Sequence, residues 1–233
     1  TELAQQVPVI DINKCTFCGR CQEYCSYNAI FLLAPMKIIR VMEELCHGCG
    51  ACTVACNDGA ITEKSFPLGL ISSFALNDHS GIIEAKMNIG VLSPVSIIKA
   101  SIRQINNHPD IVILDAPPGT SCPFIQTVAA ADYVILVTEP TPFGLSDLQQ
   151  SAETLRIMNK PFGAIINRAG TGNNSVYKYL EHEKIPLLLE IPFKKEIAET
   201  YSTGKLVSDS DPFFAEQLAE VTFNIIEKYF PIL

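Results

Sequence analysis

Eight cysteines crowd into a short stretch of this 233-residue chain, and their spacing limits what it can fold into more than any other feature. Cys15, Cys18, Cys21 and Cys25 form a C-x2-C-x2-C-x3-C run. It recurs thirty-one residues later as Cys46, Cys49, Cys52 and Cys56. The flanks repeat too, with Gly19 and Gly50 in the turns and Ala29-Ile30 matched by Ala60-Ile61. Such self-similarity marks one small unit used twice. Thiolates at i, i+3 and i+6 on a tight loop reach three corners of a [4Fe–4S] cube, and the fourth thiolate must come from elsewhere. Zinc sites favour paired C-x2-C units without a third and fourth cysteine at these offsets. Disulfides belong to oxidising compartments. Residues of about 8 to 63 therefore read as a duplicated domain with little apolar core, whose place two clusters take.

Residues 10–62 resemble the bacterial two-cluster ferredoxin. In that family the fourth cysteine of each run crosses to the other cluster. The resemblance thus implies that Cys15, Cys18, Cys21 and Cys56 hold one [4Fe–4S] cluster and Cys46, Cys49, Cys52 and Cys25 the other. Ser26 and Asn57 stand where the family usually has proline, a departure in the turn and not in the ligands. His47, beside Cys46, reads as a loop residue tuning hydrogen bonds to sulfur.

The remainder has the makings of a larger domain, so that 1–66 and 67–233 read as two domains. With 48% hydrophobic and 18% charged residues the chain can bury a real core. A net charge of -8 argues against a nucleic-acid surface. No apolar run approaches 18 residues, which implies a soluble, cytoplasmic protein with no membrane partner. Residues 68–90 read as a hairpin around Asn77–Gly81. A helix carrying Ile97, Ile98, Ile102 and Ile105 precedes an expected buried strand, Ile111-Val112-Ile113-Leu114. Further strands are expected at Tyr133 to Thr138, Phe162 to Asn167 and Leu187 to Ile191. Helices are expected near 121–131, 145–158, 174–183, 194–202 and 212–229. Short apolar runs alternating with helices predict a parallel sheet covered on both faces.

Asp115-Ala116-Pro117-Pro118-Gly119-Thr120 follows the expected strand at 111–114, and ligands in open α/β sheets bind at such carboxyl ends. An Asp there can hold a Mg2+-bound water, and a glycine can bring a backbone N–H close to a phosphate. A proline-rich turn with a capping Asp is the structural alternative. The stretch Ala131–Thr141, then Ile166-Asn167-Arg168 and Ile191-Pro192-Phe193, follows in order. Together these segments resemble the MinD/Mrp branch of deviant P-loop ATPases, relatives of the nitrogenase iron protein, in particular members with an inserted ferredoxin domain. The resemblance implies an α/β fold: a parallel, doubly wound, P-loop NTPase-like sheet, here incomplete, with an inserted α+β two-cluster ferredoxin domain. It also implies ATP or ADP with Mg2+, with Asp115 as the switch carboxylate and Gly119 as the γ-phosphate sensor. Asn167 would read the adenine edge, which suits an amide that donates and accepts at once. Arg168, Pro192 and Phe193 would flank the base.

The family's Gly-rich loop with its lysine does not occur in this sequence, and Gly204-Lys205 lacks the preceding glycines and strand to replace it. The expectation is that Thr1 is not the biological start and that the loop lies in several tens of residues preceding it or is supplied by another chain. As given, the chain cannot hydrolyse ATP by the family mechanism. Cys122, seven residues after Asp115, resembles a cluster-ligating cysteine of the nitrogenase iron protein, but a small residue at a helix start fits better. The last helix, with Phe223, Ile226 and Tyr229, lacks a basic face and reads as core packing rather than membrane docking. The leading expectation is ATP-driven electron transfer through the clusters to a redox partner protein, with a homodimer formed across nucleotide. An iron–sulfur cluster carrier or assembly scaffold and a plain electron carrier are the alternatives.

Overall fold

The computed structural model describes residues 1–105 and 109–230. Two compact units make up the chain, Thr1–Ile113 and Leu114–Leu233. In the first, β1 (Glu2–Ile10) runs antiparallel to β4 (Ile61–Ala75), with Ile10 opposite Ile61 and Val7 opposite Lys64. The far half of β4 pairs with β5 (Gly81–Met87), giving the order β1-β4-β5. The hairpin turn is closed by Leu76 N–H donating to the Ser80 carbonyl at 2.9 Å, and by the Asn77 side chain accepting from His79 N–H at 2.8 Å. β2 (Ile30–Leu33) and β3 (Ile38–Val41) form a separate two-stranded sheet.

Helices α1 (Arg20–Glu23) and α2 (Ala51–Ala55) are the two copies of one short turn of helix, each entered through a left-handed glycine. Their buried cysteines, Cys21 and Cys52, form a small core with Ile30 and Ile61, so cysteines stand where larger domains put leucines. Helix α3 (Val95–Arg103) lays Ile97 against the hairpin at Gly69, where a Cβ would lie 2.7 Å from the Ile97 side chain. Ile105 falls beyond its end. A boundary at residue 66 would fall inside β4, which continues unbroken into the hairpin; the compact units divide at Ile113 and Leu114 instead.

The second unit holds a parallel sheet, β6 (Val134–Thr138), β7 (Phe162–Ala169) and β8 (Leu187–Pro192), in that order. Helices α5 (Pro142–Ile157) and α6 (Ser175–His182) make the crossovers and α4 (Cys122–Ala129) precedes β6. Phe124, Leu136, Leu148, Leu155, Ile166 and Leu180 lie within one core. After α7 (Lys195–Ser202) and α8 (Val207–Ser210), α9 (Pro212–Tyr229) packs beside β8. It is capped by Asp211, which accepts from Phe214 N–H at 3.1 Å.

Three further expectations are corrected. Residues 111–114 form no strand, and Ile113 is 87% exposed. An apolar run becomes a strand only beside a partner, and among the described residues none pairs with it. The sheet is not covered throughout, because β6 alternates: Val134, Leu136 and Thr138 are buried while Val137 is 64% exposed. Only the central strand β7, buried from Gly163 to Ile166, has both faces packed. In α9 the buried residues are Val221 and Ile225, whereas Phe223 is exposed; Tyr229 lies against Tyr133. No helix among the described residues is long and apolar enough to cross a membrane.

Leu155 is fully buried between α5 and the sheet. Leu155→Ala should lower the stability of this unit by about 2–5 kcal/mol, through lost burial and the cavity left behind. Val137→Ala should cost less than about 1 kcal/mol; urea unfolding of the two variants side by side checks the contrast.

Candidate functional site

The two cysteine runs exchange their fourth members. Cys15, Cys18 and Cys21 line a cavity together with Cys56, and Cys46, Cys49 and Cys52 line another together with Cys25. The backbone that does this is nearly the same in both copies. Gly19 (φ 86) and Gly50 (φ 72) turn the chain left-handed ahead of α1 and α2, which present Cys21 and Cys52 inward. Beyond the fourth cysteine the chain turns left-handed again, at Asn28 (φ 53) in one copy and Gly59 (φ 61) in the other. That turn aims Ala29 N–H at Cys25 Sγ and Ala60 N–H at Cys56 Sγ, both at 3.3 Å. A third left-handed pair, Phe17 (φ 56) and Gly48 (φ 64), aims N–H groups at Cys15 and Cys46 Sγ, both at 3.4 Å.

No disulfide joins the cysteines. Burial pushes the Cys21, Cys46 and Cys52 thiols up, while the Arg20 backbone N–H holds Cys18 down. Buried thiols become thiolates only where positive charge is supplied, and an iron core supplies it. Among the described residues no three His, Cys, Asp or Glu side chains crowd around one point as a single-ion site would have them; the thiols stand around a space. Four sulfurs per cavity with backbone donors aimed at two or more of them suit an iron–sulfur cube. His47 does not itself donate to sulfur in this arrangement. It stacks on Tyr27, ring centroids 3.8 Å apart, and the donor to Cys46 is its neighbour Gly48.

A second cluster of residues gathers where β6, β7 and β8 end. Asn167 lies opposite Ile191, and the register slips between Asn167 and Ala169, leaving Arg168 as a bulge at φ 54. The Asn167 side chain accepts from Arg168 N–H at 3.0 Å, and the Thr171 hydroxyl donates to the Arg168 carbonyl at 2.7 Å. So fixed, the Arg168 guanidinium lies 5.1 Å over the centre of the Phe193 ring and 3.5 Å from Glu139. Pro192 ends β8 and Phe193 N–H reaches the Ala169 carbonyl at 3.3 Å. The structure thus brings Asn167, Arg168, Pro192 and Phe193 together and adds Glu139, for which sequence reasoning gave no role. Its position comes from a tight strand-to-helix turn: Thr138 donates to the Gly144 carbonyl at 2.9 Å and Thr141 caps α5 through Gly144 N–H at 3.0 Å. Asp115 and Gly119 lie elsewhere in the unit's chain, exposed in the irregular segment before α4, and Asp115 has no ion pair among the described residues. Cys122 is exposed at the start of α4.

Comparison with known proteins finds two domains in the chain. A 4Fe-4S dicluster domain matches residues 7–63 and an AAA domain matches residues 52–167. The uncharacterized protein MJ0579 of Methanocaldococcus jannaschii is 32% identical over 182 residues, 78% of this chain and 62% of that protein. A second protein of that organism, the uncharacterized protein MJ0578, is 30% identical over 223 residues, 91% of this chain and 72% of its own length. The chain therefore spans less than two thirds of the first relative and somewhat more of the second.

Within the cysteine repeat, a side chain at Gly48 would meet the Gln6 carbonyl at 3.1 Å and Gln5 Cβ at 3.3 Å, whereas Gly59 has nothing within 4 Å. Gly48→Ala should therefore destabilise by roughly 1–2 kcal/mol, from the left-handed backbone and the crowding together. Gly59→Asn, which installs the residue already used at position 28, should cost less than about 0.5 kcal/mol. Urea midpoints of the iron-loaded variants distinguish the two.

Proposed function

The chain belongs to the family of its second Methanocaldococcus jannaschii relative and carries a 4Fe-4S dicluster domain and an AAA domain; on that footing we propose that it passes electrons through two [4Fe–4S] clusters under the control of an adenine nucleotide. One observation carries this reading: each cavity is walled by four thiols, three from one repeat and one from the other. Clusters bound there would supply low-potential one-electron chemistry. The protein's own residues do the rest. Cys15, Cys18, Cys21 and Cys56 hold one group and Cys46, Cys49, Cys52 and Cys25 the other. N–H donors from Phe17, Gly48, Ala29 and Ala60 spread the thiolate charge. Ile30 and Ile61, buried beside Cys21 and Cys52, keep water away from those two thiols. Four protein thiolates around each group leave no open position for handing it on, which supports electron transfer over cluster donation.

In the second unit, Asn167 with Arg168, Pro192 and Phe193 would receive the adenine of ATP or ADP. Arg168 already stacks on Phe193 there, so the base meets a preformed platform. Asp115 would stand near Mg2+ and Gly119 near the terminal phosphate, the roles implied by the resemblance to MinD/Mrp ATPases. That resemblance also supports a homodimer closing across nucleotide, with a redox partner protein taking the electrons.

The exchange of ligands is tested by phenocopy. Iron-loaded protein should contain roughly eight irons and eight sulfides per chain, the content of two cubanes. Cys25→Ser should leave the same residual EPR signal as Cys46→Ser, and Cys56→Ser the same as Cys15→Ser. If Cys25→Ser instead matches Cys15→Ser, the exchange is wrong. For the nucleotide, Phe193→Ala and Asn167→Ala should each weaken ATP binding to the whole protein by about tenfold, or about 1.4 kcal/mol, in titration calorimetry. Unchanged affinity in both removes the nucleobase reading.

A further inference from the structure

The repeat makes each cysteine cavity a control for the other, because residues thirty-one apart occupy equivalent places. Thiol burial matches: Cys21 and Cys52 are buried, Cys18 and Cys49 exposed, and the other four lie between. The N–H groups aimed at sulfur match as well, at 3.4 Å in one pair and 3.3 Å in the other. The charge around the two cavities does not match. Beside the Cys15 cavity stand Arg20 and Asp58, with Asp58 accepting from the Thr16 hydroxyl at 2.7 Å. At the equivalent places beside the Cys46 cavity are Ala51 and Tyr27, neither of them charged. That cavity has Glu63 instead, accepting from the Thr53 hydroxyl at 2.8 Å. Glu63 stands where the first copy has Leu32: its Oε1 lies 3.5 Å from a Cβ built on Gly50, as Leu32 Cδ2 does from one built on Gly19. Lys64 points its ammonium to Glu43 at 2.7 Å, and among the described residues no Lys or Arg lines the second cavity. A guanidinium thus shares the lining of the first cavity with its carboxylate, and none shares the lining of the second.

We propose that the two sites accept electrons unequally, the Cys15/Cys18/Cys21/Cys56 site being the better acceptor, and that Arg20 and Glu63 set the difference. This rests on the two-cluster reading above. Reduction adds one electron to the group in each cavity and breaks no bond, so a nearby cation favours the reduced state and a nearby carboxylate opposes it. Arg20 and Glu63 are both exposed, so added salt narrows the difference. An electron shared between the sites comes to rest at the Arg20 end, and the Glu63 end is the stronger donor.

The test is an EPR-monitored potentiometric titration of the iron-loaded protein with dithionite, at pH 8, above the ordinary histidine range. Iron and sulfide are quantified first. Two resolved one-electron steps are expected. Arg20→Ala, which copies Ala51, should move only the higher step downward. Glu63→Leu, which copies Leu32, and Glu63→Gln, which preserves the Thr53 contact, should move only the lower step upward. Combining Arg20→Ala with Glu63→Leu should draw the steps together. Full iron content with a single coincident step, or both steps moving equally in either variant, overturns this inference and leaves the two-cluster reading standing. Iron well short of two clusters, or zinc in its place, overturns both.

Discussion

The structure of the first unit depends on the exchange of one thiol between two like halves. Neither cysteine run closes a cavity alone, since Cys56 completes the wall begun by Cys15 and Cys25 completes the one begun by Cys46. The halves therefore cannot separate without opening both cavities. This replaces the apolar core that so short a segment cannot build. The segment that makes the crossing also continues outward. Four residues past Cys56, Ala60 sends its N–H back to the sulfur, and Ile61 then starts β4, which pairs with β1 and extends into the hairpin carrying α3. Sulfur ligation geometry and sheet register are thereby fixed by the same few residues.

Much of this was legible in the sequence because it follows from local rules. The cysteine offsets named the eight thiols, the resemblance to two-cluster ferredoxins implied their exchange, and the apolar periodicity placed β6, β7 and β8 and the helices between them. What escaped depends on neighbours far along the chain. Ile111–Leu114 has the composition of a buried strand, yet composition does not supply a partner, and the run stays exposed. Glu139 reads as one more polar residue in a turn until the register of β7 shows Arg168 bulging toward it. The Tyr27–His47 stack joins residues twenty positions apart whose meeting follows from the pseudo-symmetric packing of the two halves and from no pattern in either.

The repeat also shows how divergence proceeds under a fixed backbone. Three left-handed positions recur in each copy, and glycine fills all three in the second: Gly48, Gly50 and Gly59. The first copy keeps only Gly19 and places Phe17 and Asn28 in the same conformation. A non-glycine residue there costs of order 1 kcal/mol, less for Asn, whose short polar side chain tolerates it. The strain persists because the N–H groups of Phe17 and Ala29 must still face sulfur. Side chains that do not shape the backbone were free to change, and those are the ones that now give the two cavities different charge.

Arg168 shows a comparable use of strain in the second unit. A left-handed arginine in a sheet bulge costs energy on its own, yet its N–H, its carbonyl and its guanidinium are each engaged, by Asn167, by Thr171, and by Glu139 with Phe193. Part of the side-chain entropy that a long arginine would lose on meeting a ligand is already lost in these contacts. The same contacts give the Asn167 carbonyl oxygen one donor and leave its amide N–H groups without a hydrogen bond among the described residues, a donor at the carboxyl ends of parallel strands. Under the nucleotide reading proposed above, a flat base bearing ring-nitrogen acceptors would engage that donor and the adjoining guanidinium–phenyl pair, whereas a purely anionic ligand would engage the guanidinium alone and leave Phe193 unused.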